Sequence, residues 1–122
     1  MGIYLHSAKK HEIEYSTVSA FNYMSEVINP ILEVLTEHDL GYEGDYLGGA
    51  MQLWGNREKL LRNVDKIVNK DSDWECQEEL DEVIEDLKKA YPEVDIAKIH
   101  SSLKTIILES DPRNIDAYFT WF

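Results

Sequence analysis

Apolar positions along the chain recur with two periods, a two-residue period near both ends and a helical period between them. Ile3 to Leu5 form a short β-prone run, Ser7 to Lys10 a polar turn, and His11 to Tyr15 then alternate. Ile13 and Tyr15 fall on one face, Glu12 and Glu14 on the other. This predicts an N-terminal β-hairpin. Residues 114–122, NIDAYFTWF, are rich in aromatic and β-branched side chains and predict a strand that pairs with the hairpin. In that strand Tyr118, Thr120 and Phe122 share one face, and Phe119 and Trp121 the other. Aromatics on both faces imply burial on both sides, or one face held for a partner.

The middle of the chain reads as helices. Residues 17–38 carry a helical apolar pattern interrupted by Asn29-Pro30. Proline removes an internal hydrogen bond and disfavours helix at the residue before it, so the pattern predicts a break there, with Asn29 capping a second helix. Residues 39–51, DLGYEGDYLGGAM, hold four of the six glycines and predict a loop. A helix over 53–69 follows, with Leu53, Trp54, Leu60, Leu61, Val64, Ile67 and Val68 inward. Its outer face carries Arg57, Lys59, Arg62, Lys66 and Lys70.

The next segment, 71–95, has Cys76, Leu80, Val83, Ile84, Leu87 and Tyr91 as an apolar stripe, and Pro92 ends it. Ser72 and Glu75 have capping-box spacing and predict its start. A last helix over 96–109, capped by Asp95, turns Ile96, Ile99, Leu103, Ile106 and Ile107 inward, and Asp111-Pro112 leads into the final strand. The expected fold is α+β: a small antiparallel sheet of about three strands, made by the N-terminal hairpin and the C-terminal strand, packed against four or five helices. At 122 residues the chain is expected to be a single domain spanning 1–122. That length buries roughly two-thirds of the unfolded surface without staples.

Charge changes the picture. The chain has 24 acidic and 12 basic residues, a formal charge of −12. Residues 71–95 concentrate it, with eleven carboxylates against Lys88 and Lys89, a local −9. The helix before it is +3 locally. Such a balance disfavours direct binding to nucleic acid or to anionic membranes and favours association with a basic protein. The basic stripe can either neutralise the neighbouring acidic helix or point elsewhere. A ridge paired with that stripe loses value as a binding signal, and an unpaired one gains it.

Motifs for chemistry are sparse. One cysteine, Cys76, excludes an intramolecular disulfide and a cysteine-rich zinc site. Gly48-Gly49 lacks the Lys-Ser/Thr ending of a phosphate-cradling loop and reads as a turn or helix start. His6 and His11 can face each other across the hairpin near Glu12 or Glu14, without the i,i+4 spacing of a helical metal site. His100 and Ser101 adjoin with no third group identifiable. No calcium-type loop is present. The first residues show no basic region followed by an apolar core. His6 stands where a myristoylation signal wants Ser or Thr, and no apolar run approaches a membrane span, so the cytoplasm is the expected location.

These readings give no catalytic, cofactor or metal-ligating residues and point to a non-enzymatic acidic binding protein. Its size, acidity, lack of catalytic signature and paired termini are similar, in composition, to small bacterial immunity proteins as a class. The expected partner is a basic protein such as a nuclease toxin, with the chain itself a monomer or homodimer. Glu75, Glu78, Glu79, Glu82, Glu85 and Asp86 are expected to steer it, and Tyr42, Tyr46 and Trp74 to anchor it, since aromatic side chains carry more binding energy than rim charges. A DNA mimic of anti-restriction type, from a phage or mobile element, is the alternative; a small enzyme of unknown class, built on His6 or His11 with Glu12 or Glu14, is the second.

Overall fold

Five strands and four helices occur among the described residues: β1 (Leu5–Lys9), β2 (Glu14–Ala20), α1 (Ser25–Leu35), β3 (Gly41–Glu43), β4 (Met51–Asn56), α2 (Arg57–Val64), a 3₁₀ turn (Asp65–Ile67), α3 (Gln77–Ala90), α4 (Ile96–Glu109) and β5 (Asp116–Trp121). This computed structural model describes residues 5–9, 14–20, 25–43 and 51–121, and side chains over 28–43 and 52–120. The architecture is α+β, as expected.

The sheet has the order β2-β1-β5-β4-β3, antiparallel throughout. The N-terminal hairpin and the C-terminal strand pair as anticipated, but the hairpin strands lie later in the sequence than the alternation suggested. Ser7 to Lys9 belong to β1 rather than to a turn, and the β1–β2 register shifts between His6 and Ala8. Residues 17–20, read as the start of a helix, complete β2. Beyond β5 the sheet continues through β4 and β3. Both fall on residues whose sequence reads otherwise: Gly41 to Glu43 and Met51 as loop, Leu53 to Asn56 as helix.

Two close approaches explain why glycines sit in these strands. Gly41 pairs with Trp54, and the indole lies over its backbone where a Cβ would stand. Gly55 is buried in β4, where an added Cβ would meet the Thr36 methyl at 2.5 Å. These glycines serve close packing in strands rather than a loop. Across the β4–β5 ladder, Leu53 opposite Phe119 and Gly55 opposite Ala117 face the core, while Trp54 meets Tyr118 on the other face with ring centroids 6.3 Å apart.

Helix α1 runs through Pro30 rather than breaking at Asn29. The reason is packing. Ile28, Ile31, Leu32, Val34 and Leu35 are all buried. At roughly 1.5–3 kcal/mol each, their burial outweighs the ~3 kcal/mol that an internal proline costs. α2 begins where β4 ends, with the Asn56 side chain accepting from the Lys59 amide at 2.9 Å. α4 starts as its sequence suggests, with Asp95 accepting from the Lys98 amide. The core gathers Leu60 and Val64 of α2, Leu80, Ile84 and Leu87 of α3, Ile99, Leu103, Ile106 and Ile107 of α4, and Leu53 and Phe119 of the sheet. Among the described residues, no helix is long and apolar enough to cross a membrane.

Candidate functional site

The acidic face belongs to α3. Leu80, Ile84 and Leu87 point into the core, which turns Glu78, Glu79, Glu82, Glu85 and Asp86 outward, and all five are exposed. At about 100° per residue they fall within an arc of roughly 120°, over a length of about 12 Å. Glu75, also exposed, lies just before the helix.

The helix starts later than its capping-box spacing indicates. Cys76 is the N-cap residue and makes no side-chain capping bond. Ser72 instead lies in a turn organised by Asp71, whose carboxylate accepts from the Asp73 amide at 3.1 Å and whose carbonyl accepts from the Trp74 amide at 3.0 Å. The buried Gln77 then secures the helix start. Its Oε1 accepts from the Asp71 amide at 2.8 Å, and its Nε2 donates to the Lys66 carbonyl and to Asp81. The surroundings of Cys76 do not activate its thiol: burial first, then the charges of Glu37, Glu79 and Glu75, push it above the ordinary cysteine range.

The basic side chains of α2 and of the residues just after it pair away from the ridge. Lys59 reaches Asp39 at 3.8 Å, Arg62 reaches Glu37 at 3.9 Å, and Lys66 reaches Asp71 at 3.9 Å. Lys70 meets Asp81, on the flank of α3, at 3.6 Å. The packing order is the cause: α3 lies chiefly on α1, whereas α2 lies chiefly on α4. Of the six ridge carboxylates, Glu79 pairs with His38 and Glu85 with Lys88. Among the described residues, Glu75, Glu78, Glu82 and Asp86 have no cation within salt-bridge distance.

The expected anchors are placed differently from one another. Tyr42 lies on the edge strand β3 and is 57% exposed. Tyr46 lies outside the described residues, as do His11, Glu12 and Gly48-Gly49. Trp74 packs partly buried against the core, donates its indole N–H to Glu37 at 3.0 Å, and carries the Lys66 ammonium 4.5 Å from its ring centroid.

A feature invisible in the sequence adjoins the ridge. Glu37 and His38, after the end of α1, both adopt left-handed backbone, at φ 57° and 65°. For non-glycine residues this costs on the order of 1 kcal/mol each and persists where neighbours over-determine it. Glu37 accepts hydrogen bonds from Trp74 and from Asn63, at 3.0 and 3.1 Å. These bonds, Trp74 first, hold its carboxyl below the ordinary glutamate range, with help from Arg62 and Lys59. His38 bonds through Nε2 to Glu79 at 2.6 Å, and Glu33 lies 3.8 Å from its Nδ1. The Glu79 hydrogen bond is the main reason its pKa is raised.

Elsewhere His100 bonds to Asp65 at 2.7 Å, and Lys104 reaches the same carboxylate at 3.0 Å. Asp65 is the partner of His100 that the sequence left unidentified. The Ser101 hydroxyl donates to the Lys98 carbonyl at 3.2 Å, away from the imidazole. Among the described residues, no group of three or more His, Cys, Asp and Glu side chains converges as a metal site would require. Compared with known proteins, the chain matches no protein family, no curated protein and no solved structure.

Proposed function

We propose that the chain is a non-enzymatic binding protein of inhibitor or immunity type, whose α3 face engages a basic protein such as a nuclease and occludes its nucleic-acid groove. One observation carries this reading. Lys59, Arg62, Lys66 and Lys70 meet Asp39, Glu37, Asp71 and Asp81, and Glu75, Glu78, Glu82 and Asp86 are exposed without a cation among the described residues. Carboxylates held on a rigid helix raise encounter rates with a cationic surface and penalise anionic competitors. Tyr42 supplies an exposed ring for anchoring.

The test is a charge reversal. Glu78, Glu82 and Asp86 are replaced together by Lys, and the basic proteins retained from native host extract by the two forms are identified at low and high salt. A retained nuclease is then assayed for cleavage with each form added. The wild-type chain should retain it, suppress cleavage, and associate at least tenfold faster than the reversed form at low salt. Unchanged binding by the reversed form at low salt would sink the proposal. Retention of a DNA-binding protein that duplex DNA displaces competitively would favour a DNA mimic instead.

A further inference from the structure

The six ridge carboxylates have two internal cationic neighbours among the described residues, and they differ in kind. Lys88 is paired with Glu85 from its own helix. His38 comes from another element, the turn after α1, and histidine is the side chain whose ordinary charge change falls nearest neutral pH. We propose that His38 makes the acidic face proton-linked: a lysine or arginine side chain of the partner takes Glu79 from the imidazole, and His38 releases its proton as the partner binds. This rests on the reading of the α3 face as the partner surface.

The geometry sets up the competition. His38 and Glu79 are both about half exposed, at 49% and 46%, so an incoming cation reaches the carboxylate from solvent. The charged groups that meet His38 are Glu79 from α3 and Glu33 from α1. The two α2 cations that reach this turn are engaged at its other residues, Lys59 at Asp39 and Arg62 at Glu37. The turn itself does not depend on the imidazole. Glu37 fixes it through Trp74 and Asn63, and the Asn63 amide also donates to the Leu35 carbonyl at 2.8 Å. Loss of the His38–Glu79 bond therefore alters the charge of the face while its scaffold stays in place.

The sign follows from linkage. A bound cation removes the carboxylate that stabilises the imidazolium and adds a like charge beside it. Both effects lower the His38 pKa in the complex. Affinity then rises with pH through the histidine range, by up to about tenfold per pH unit for one proton released.

An octalysine peptide acetylated at its N-terminus is a suitable probe, because without a free α-amino group its charge is constant over this range. The His38 ring resonance, assigned with His38→Gln, is titrated at low salt with and without saturating octalysine, and His100 serves as an internal reference. Peptide affinity is measured by calorimetry at about pH 5.5 and about pH 8. The expected result is a His38 midpoint displaced to lower pH by the peptide, several-fold tighter binding at the higher pH, and a markedly smaller pH dependence in His38→Gln. Octalysine binding with the His38 midpoint unmoved, or an undiminished pH dependence in His38→Gln, overturns the linkage and leaves the binding face standing. No octalysine binding at either pH overturns both.

Discussion

Replacing Glu82 by Gln should make the protein more stable. Glu82 has Glu78 four residues before it and Asp86 four after, with Glu79 and Glu85 at the three-residue spacings, all exposed on the same face. Among the described residues no cation reaches it. Each like-charge pair at i,i+4 costs about 0.2–0.5 kcal/mol, and the i,i+3 neighbours add to that. Neutralising the central member of the row should therefore stabilise by about 0.5–1 kcal/mol at low ionic strength. For a domain of this size that is a rise of about 2–5 °C in Tm. Urea unfolding of both forms is compared at low salt and at about 1 M salt, where the screening length falls to about 3 Å. The gain should appear at low salt and mostly vanish at high salt. A destabilised Glu82→Gln at low salt would mean that Glu82 is paired with a cation, and would remove the basis for treating the α3 face as unneutralised. If the same substitution also weakens partner binding, the ridge is held at a cost to the fold, as a binding surface would be.

Gly55→Ala should destabilise by about 1–3 kcal/mol, because the new methyl meets the buried Thr36 methyl, which a hydrogen bond from Thr36 Oγ1 to the Glu33 carbonyl holds in place. Adding Thr36→Ser should recover part of the loss in chemical denaturation; no recovery would put the clash elsewhere. On the acid side, Glu37 and Asp65 are both held below their ordinary range, Glu37 first by Trp74 and Asp65 first by His100. A lowered native pKa gives stability that is present above the unfolded value and lost as pH falls through the native one. The urea midpoint should therefore decline from about pH 4 downwards, and less steeply in Glu37→Gln and Asp65→Asn; equal slopes would refute the assignment.

The fold class and the elements with a long apolar stripe were legible because burial is written at regular spacing, as in Leu80, Ile84 and Leu87 or Ile99, Leu103 and Ile106. β4 was not. Leu53 and Trp54 merge with Leu60 and Leu61 into an apparent helical run, and the need for Gly55 becomes visible only when Thr36 lies against it. The continuity of α1 through Pro30 is likewise a result of packing, which local propensity does not contain. The acidic residues of the candidate site could be named from sequence, but the partners of the basic stripe could not. Those depend on α3 packing against α1, and on a left-handed turn fixed at Glu37 by Trp74 and Asn63 from far along the chain. The left-handed backbone at Glu37 and His38 has no signature such as glycine or asparagine.

The position of β5 bears on how the molecule assembles during synthesis. It is the only strand that touches both hairpin halves of the described sheet, β1–β2 on one side and β4–β3 on the other. A nascent chain stopped short of Asp116 holds two separate hairpins with no hydrogen bonds between them, each marginal on its own. The helix that carries the acidic face, α3, is already translated at that point. Strand β5 thus acts as a keystone: the β1–β5 pair joins residues as far apart as Leu5 and Trp121, and a closure of such long range is slow.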